Sequence, residues 1–225
     1  MRSVSSVTEG SDDRALVAGR SPVAGYMVAF VFVGMCLTIA GPSLGYLRDR
    51  AGVGVGVSGL LIGGQAVGYI IGSLAAGRFY DRGHGHRVMV RAAVLGVAAV
   101  SALSAIHQFW AMVVVFVIIG VAGSMVDVGG NTLVVWSQPP ERVGSSLNAL
   151  HLCFGIGALT TPLVVALSIS TRGNLLLVAL VVGLVMATAV FRLRGTSVPT
   201  RRAASTDDLA GGASGRALII VCVFF

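Results

Sequence analysis

The stretch GRFYDRGHGHR, residues 77–87, lies between two long apolar segments and gathers three arginines, one aspartate and two histidines in a chain that is poor in charge. The 225 residues are 55% hydrophobic and only 11% charged, whereas a soluble domain carries about 25% charged residues. Such a chain cannot cover a globular surface with polar groups. The composition therefore predicts an integral membrane protein, with residues 77–87 as one of its loops.

Six apolar segments are long enough to cross a bilayer, which takes about 20 residues in a helix. Numbered as spans 1 to 6, they are predicted at 23–47, 55–77, 88–106, 109–136, 144–169 and 174–191. Because the connections are short, spans adjacent in sequence are expected to be antiparallel neighbours in space. Span 2 has small residues at intervals of about four, which favours either static close packing or a rocking interface. These are Gly63, Gly64, Gly68 and Gly72.

The arginines are divided unequally between the two sides of the membrane. All sixteen basic residues are arginine, and with the N-terminus inside, thirteen lie on the inner side and three on the outer side. Arginine-rich loops stay in the cytoplasm. Both termini and the 77–87 loop are therefore predicted to be cytoplasmic, and the net charge of +7 is explained by topology without a nucleic-acid partner.

The parts of the chain outside the spans form three predicted segments. Residues 1–21 are polar and lack the apolar core of a signal peptide, which predicts a disordered cytoplasmic tail. Residues 193–215 are small and polar and predict a cytoplasmic linker. Residues 216–225 begin an apolar run that is too short to span the bilayer, and we interpret them as the start of a truncated seventh helix. The six-helix bundle, 22–192, is then the first half of a longer protein.

A single acidic residue, Asp127, lies inside a predicted span. A charge at mid-bilayer costs about 2.5–3.5 kcal/mol on insertion scales, so such residues usually face a cavity and have a function. Asp127 and Asn131 share one face of span 4, and Asn148 and His151 share one face of span 5. Counted from the turn near Pro140, the two pairs lie at matching depths at about 1.5 Å per residue. We expect them to converge on a site for a small polar solute and a proton. The alternative for Asp127 is a static hydrogen bond between helices.

Gln65 in span 2 is either a fifth polar contact of this site or a packing residue. No cofactor is expected, and metal binding is not expected because one histidine and one aspartate do not make a metal site. An enzyme is not expected either. One intramembrane aspartate cannot form an aspartyl dyad, and the serines show no helical spacing to a histidine base.

The 77–87 loop and spans 4 and 5 resemble the major facilitator superfamily of transporters. Its members carry the pattern Gly-x-x-x-Asp-Arg-x-Gly-Arg-Arg between helices 2 and 3. This chain matches the start of that pattern and departs at its end, where His84 and His86 interleave with the glycines. The stretches DVGGNTLVVW (127–136) and LNALHLCFGIGALTTPL (147–163) resemble helices 4 and 5 of the fucose-permease-like sugar transporters. Those symporters have a second acid on helix 1, which is lacking here.

The resemblance implies the N-terminal half of a secondary transporter that works by alternating access in the cytoplasmic membrane. The use of arginine as the sole basic residue besides histidine, with many Ala, Val and Gly residues, is typical of a bacterial protein. It implies import of a sugar or similar solute with protons, with a C-terminal half or a second copy completing the cavity. It also implies that the loop latches one conformational state through Gly77, Asp81, Arg82, Gly83 and Arg87. The alternatives are a drug or metabolite efflux antiporter of the same superfamily and a six-helix protein that assembles another membrane complex.

Overall fold

The computed structural model describes residues 22–83 and 85–199, and every regular element within them is an α-helix. The helices are α1 (Val23–Thr38), α2 (Ala40–Ala51), α3 (Val55–Tyr80), α4 (Gly85–Ala102), α5 (Phe109–Ser137), α6 (Pro140–Arg172) and α7 (Leu176–Leu193). Helices α1 and α2 form span 1, and α3 to α7 form spans 2 to 6 in order. Each of α3 to α7 is long and apolar enough to cross a membrane by itself. Helices α1 and α2 meet the same criterion together, as one bent span.

The predicted all-α membrane fold with six spans is therefore confirmed. The tail 1–21, the linker beyond residue 199 and the segment 216–225 lie outside the described residues. Span 5 is longer than its apolar core, because its first turn includes Glu141 directly after Pro140. Proline at the first helical position and an acid in the first turn both favour a helix start. A hydropathy pattern does not register such charged turns at the membrane surface.

Span 1 is broken near its middle. Helix α1 ends at Thr38, α2 begins at Ala40, and the two axes differ by 41°. Pro42 accounts for the break, because its ring has no N–H and clashes with the carbonyl of the residue four positions earlier, which is Thr38. Backbone groups freed inside a membrane must find other partners. The side chain of Gln65 supplies two donors at this point, as described below.

The most extensive helix contacts join spans that are not neighbours in sequence. Spans 2 and 4 share the largest contact, followed by spans 1 and 5. Among sequence neighbours, spans 3 and 4 pack extensively, whereas spans 4 and 5 touch far less, although a turn of two residues joins α5 to α6. The prediction that sequence neighbours pack together is therefore correct for spans 3 and 4 and wrong for spans 4 and 5. Short connections limit how far apart two helix ends are, but matching helix faces decide which helices pack.

Those faces carry glycine where the helix backbones meet. A Cβ atom on Gly68 would overlap the Val117 backbone, and one on Gly120 would overlap the Gln65 backbone. In membranes, small residues allow such close approach and the dispersion contacts that hold helices together. Gly63, in contrast, faces open space. The glycines of span 2 therefore include a buried packing row, which supports the static interpretation of Gly64, Gly68 and Gly72.

The contact between spans 1 and 5 repeats the contact between spans 4 and 2. A Cβ atom on Gly157 would overlap the Val31 backbone, and one on Gly34 would overlap the Phe154 backbone. We call the two contacts the glycine seams. If span 1 is equated with span 4 and span 2 with span 5, each seam corresponds to the other. Because each half holds three spans, the halves cross the membrane in opposite directions, which is the arrangement of an inverted repeat.

Candidate functional site

Asp127 lies in the second half of α5 and is partly exposed on the surface of the bundle. Both of its carboxylate oxygens accept hydrogen bonds. The Tyr69 hydroxyl donates to Oδ2 at 2.6 Å, and the Asn131 amide nitrogen donates to Oδ1 at 3.0 Å. Asn131 also donates to the Asp127 carbonyl at 3.0 Å. We call Tyr69, Asp127 and Asn131 the carboxylate cluster.

The helix packing explains why these three side chains meet. Asn131 lies one turn after Asp127 on the same helix, which places the two on one face. Tyr69 comes from span 2, whose backbone at this level runs against Gly120 of span 4. A bulkier residue in place of Gly120 would hold Tyr69 further from the carboxylate. The glycine seam therefore positions the cluster as well as the helices.

The carboxylate cluster combines one titratable group with neutral hydrogen-bond donors. Two neutral donors orient the carboxylate without cancelling its charge. Such a group can bind a proton, or it can accept a hydrogen bond from a hydroxyl of a solute in place of one donor. Among residues 22–83 and 85–199, no group of three His, Cys, Asp or Glu side chains lies close enough to hold a metal ion.

Asn148 and His151 lie on α6, and both are exposed. The His151 ring meets the Phe30 ring edge to face, with the centroids 6.0 Å apart. The Phe30 ring is buried and also packs against Gly130, next to Asn131. Within the described residues, no hydrogen bond joins Asn148 or His151 to the carboxylate cluster. Phe30 of span 1 thus contacts residues near both polar pairs, and the pairs themselves do not meet through hydrogen bonds.

The structure distinguishes between the two interpretations of Gln65, a contact of the site or a packing residue. Its side chain is 6% exposed, and its amide nitrogen donates to the Cys36 carbonyl at 2.9 Å and to the Leu37 carbonyl at 3.1 Å. Both carbonyls lie in the last turn of α1, where the break in span 1 leaves backbone groups in need of partners. Gln65 is therefore a support of the break rather than a free contact for a solute.

Replacing Gln65 with leucine is expected to lower the stability of the bundle by about 1–3 kcal/mol, because it leaves one buried and one partly buried carbonyl without this donor. Thermal unfolding in detergent measures the effect. The apparent affinity for solute should be unchanged at temperatures where the variant is folded. Gln138→Leu serves as the control and should keep the wild-type stability, because the Gln138 side chain makes no hydrogen bond within residues 22–83 and 85–199. A Gln65→Leu variant with wild-type stability and weaker solute binding would show that Gln65 contacts the solute instead.

Tyr69 is the member of the carboxylate cluster that the sequence did not predict. Its signals are weak: it follows Gly68 directly and lies one turn after Gln65. Tyrosine in a membrane helix is usually interpreted as an interfacial anchor. The packing of spans 2 and 4, which are not neighbours in sequence, is required to bring its hydroxyl to Asp127.

The predicted latch residues lie at the end of α3 and the start of α4. Helix α3 ends at Tyr80, and the backbone N–H of Asp81 donates to the Gly77 carbonyl at 3.1 Å. Gly83 has a φ of +78°, which L-residues other than glycine rarely adopt. This conformation explains the glycine without a latch.

The side chains of the loop make no ion pair in the part of the chain that the structure describes. The one ion pair there joins Arg48 to Asp49 at 2.7 Å. Asp81 and Arg87 are exposed, and the Arg82 guanidinium lies 5.9 Å from the centre of the Phe79 ring. The latch therefore stays a prediction.

The sequence model of the Major Facilitator Superfamily matches residues 26–225. The chain belongs to the major facilitator superfamily. This membership agrees with the six-span bundle and with the resemblance of the 77–87 loop, and it confirms the superfamily predicted from the sequence.

Curated proteins that resemble the chain are named as sodium-dependent glucose transporters. Sodium-dependent glucose transporter 1 of Danio rerio is 28% identical over 141 residues, which is 62% of this chain and 23% of the relative. The human protein of that name is 25% identical over 154 residues, or 65% and 28%, and the rat protein is 27% identical over 149 residues, or 65% and 30%. The chain thus aligns with roughly a quarter of the length of these relatives.

Proposed function

We propose that the chain is the N-terminal half of a secondary transporter that carries a small polar solute, in the first place a sugar, across the cytoplasmic membrane by alternating access. The observation that carries this proposal is the carboxylate cluster, a titratable group with two neutral donors in an apolar span of a superfamily member. Intramembrane acids that face a cavity commonly serve substrate or proton movement.

A sugar is supported by two independent observations. The exposed Asn148 and His151 and the carboxylate cluster offer both donors and acceptors, which is what a polyhydroxyl solute needs for orientation in an otherwise apolar site. The relatives are named as glucose transporters. We therefore propose that both polar pairs line one cavity, on either side of Phe30, and that the solute bridges them.

The coupling ion has two candidates, a proton and sodium. A proton is supported by Asp127 itself, a titratable group inside an apolar span. The names of the relatives favour sodium. We propose proton coupling through Asp127 and keep sodium as the second candidate.

The rest of the transporter is part of the same proposal. Because the chain aligns with about a quarter of the length of its relatives, we propose that a C-terminal half, or a second copy of the chain, forms the opposite wall of the cavity. The arginine distribution supports cytoplasmic termini. On that side, Asp81 and Arg82 would engage the opposite wall and act as a breakable latch.

Solute uptake into proteoliposomes that contain the natively expressed transporter tests the proposal. Radiolabelled glucose and a panel of other sugars are offered under an inward proton gradient, an inward sodium gradient, or neither. We expect accumulation of at least one sugar with the proton gradient and none without a gradient. Accumulation with sodium alone would favour the second candidate. If no sugar is bound or transported under any gradient, the proposed substrate class is contradicted.

A further inference from the structure

A second feature lies on spans 3 and 6, which contribute no residue to the carboxylate cluster. An apolar groove of about 770 Å³ runs between α4 and α7, lined chiefly by alanine, valine and other apolar side chains. Near Val90, Val190 and Arg194 it continues into a smaller cleft of about 280 Å³. The groove is open on the outside of the bundle rather than enclosed.

The length of the groove matches one leaflet of a bilayer. On span 6 its lining extends from Gly183 to Arg194, just after the end of α7, and on α4 the lining of groove and cleft extends from His86 to Ala98. These stretches cover about 16 to 18 Å at about 1.5 Å per residue. Half of a hydrocarbon core of about 30 Å is about 15 Å. The groove therefore runs from one membrane surface to about the midplane.

The cleft at the surface end is strongly basic. Arg87, Arg91 and Arg194 line it, together with His86, whose Nε2 atom is 2.7 Å from the Tyr26 hydroxyl. Arg87 and Arg91 lie one turn apart, and like charges at this spacing repel each other. None of the three arginines forms an ion pair with a carboxylate within residues 22–83 and 85–199. An anion in the cleft would relieve this repulsion.

We propose that spans 3 and 6 form a binding site for one anionic phospholipid. The phosphodiester of the headgroup lies in the arginine cleft, and an acyl chain lies in the apolar groove. Basic clefts between membrane helices on the cytoplasmic side suit anionic headgroups, because an arginine can bind a phosphate through two parallel hydrogen bonds. The apolar groove beside the cleft favours a lipid as the ligand, since a free phosphate would occupy the cleft alone. The topology predicted from the arginines assigns the lipid to the cytoplasmic leaflet.

Native mass spectrometry of the full chain in detergent tests this site. The protein is titrated with dipalmitoyl phosphatidylglycerol, with dipalmitoyl phosphatidylcholine, which has the same chains and no net charge, and with soluble glycerol 3-phosphate. We expect one tightly bound phosphatidylglycerol, bound at least about tenfold more tightly than phosphatidylcholine, and no retained glycerol 3-phosphate.

Two variants separate the cleft from the groove. Arg91→Gln combined with Arg194→Gln should remove the preference for the anionic lipid. Ala187→Phe, at an exposed position in the groove, should weaken the binding of both lipids and keep the preference for the anionic one. Arg142→Gln, an exposed arginine away from the groove on the same predicted side, is the matched control and should bind like the wild type.

Four outcomes would overturn the proposal. Equal binding of the two lipids by the wild type would show that the groove holds only annular lipid without headgroup specificity. Retention of glycerol 3-phosphate as tightly as phosphatidylglycerol would mean a phosphate site without a lipid. A double arginine variant that binds like Arg142→Gln would exclude the cleft. A dimer that persists in excess lipid and is lost in Ala187→Phe would make a second copy of the chain the occupant.

Discussion

Replacement of Asp127 with asparagine is expected to abolish the accumulation of solute while leaving the exchange of solute across the membrane. Asparagine keeps the shape of the side chain and can still accept a hydrogen bond from the Tyr69 hydroxyl, but it cannot carry a proton through the cycle. A potential of 100 mV drives one charge with about 2.3 kcal/mol, which corresponds to roughly fifty-fold accumulation at about 1.4 kcal/mol per factor of ten. In the variant this ratio should fall to one.

Proteoliposomes with an imposed potential give the accumulation ratio, and counterflow of labelled against unlabelled solute gives the exchange. Retained exchange shows that the variant is folded and binds solute. Tyr69→Phe is the companion variant, because it removes one donor and leaves the acid. It should slow uptake by roughly tenfold, the effect of one hydrogen bond to a charged group, and reach the wild-type ratio at steady state. If Asp127→Asn still accumulates solute under the potential, Asp127 does not carry the coupling proton.

Alanine at Gly68 is expected to destabilise the bundle by about 1–3 kcal/mol or more, as overpacking does. The added Cβ meets the Val117 backbone rather than the flexible end of a side chain, so spans 2 and 4 must separate to admit it. Alanine at Gly157 should have a similar effect, because it meets the Val31 backbone in the equivalent seam. Thermal unfolding monitored by size-exclusion chromatography in detergent measures both changes.

Each seam has a matched control in the same helix. Gly63 in span 2 and Gly155 in span 5 have open space around the position of a Cβ atom. Alanine at either position should leave stability unchanged or raise it by about 0.5–1 kcal/mol, since glycine is unfavourable inside a helix. Equal melting temperatures for Gly68→Ala and Gly63→Ala would show that the seam between spans 2 and 4 is not as close as described.

The sequence predicts well what depends on one helix at a time. The six spans follow from apolar length. The pairing of Asp127 with Asn131 follows from their spacing on one helix. These features need only hydropathy and the helical repeat. The break in span 1 does not follow from proline alone, because Pro162 lies inside the continuous helix α6.

What depends on two helices could not be predicted in the same way. Tyr69 of span 2 reaches Asp127 only because spans 2 and 4 pack together although they are not neighbours in the sequence. Gln65 reaches the Cys36 carbonyl of the neighbouring span 1, but hydropathy does not identify the helix face that makes this contact. The depth argument placed His151 opposite Asp127, but it assumed that spans 4 and 5 are close partners. Phe30 of span 1 lies at that place instead. Glycine positions indicate that a close contact exists, but they do not identify the partner helix.

The two glycine seams bear on how the proposed transporter can move. A contact of backbone against backbone has no layer of pliable side chains that could slide, so spans 1 and 5 cannot shift past each other without breaking the fit, and neither can spans 2 and 4. In the proposed transporter, the two seams therefore favour rotation of the bundle as one rigid body against the proposed opposite wall. Such a rotation about the middle of the membrane would narrow the passage at one end as it widens the other. Asp127 would then face only one compartment at a time.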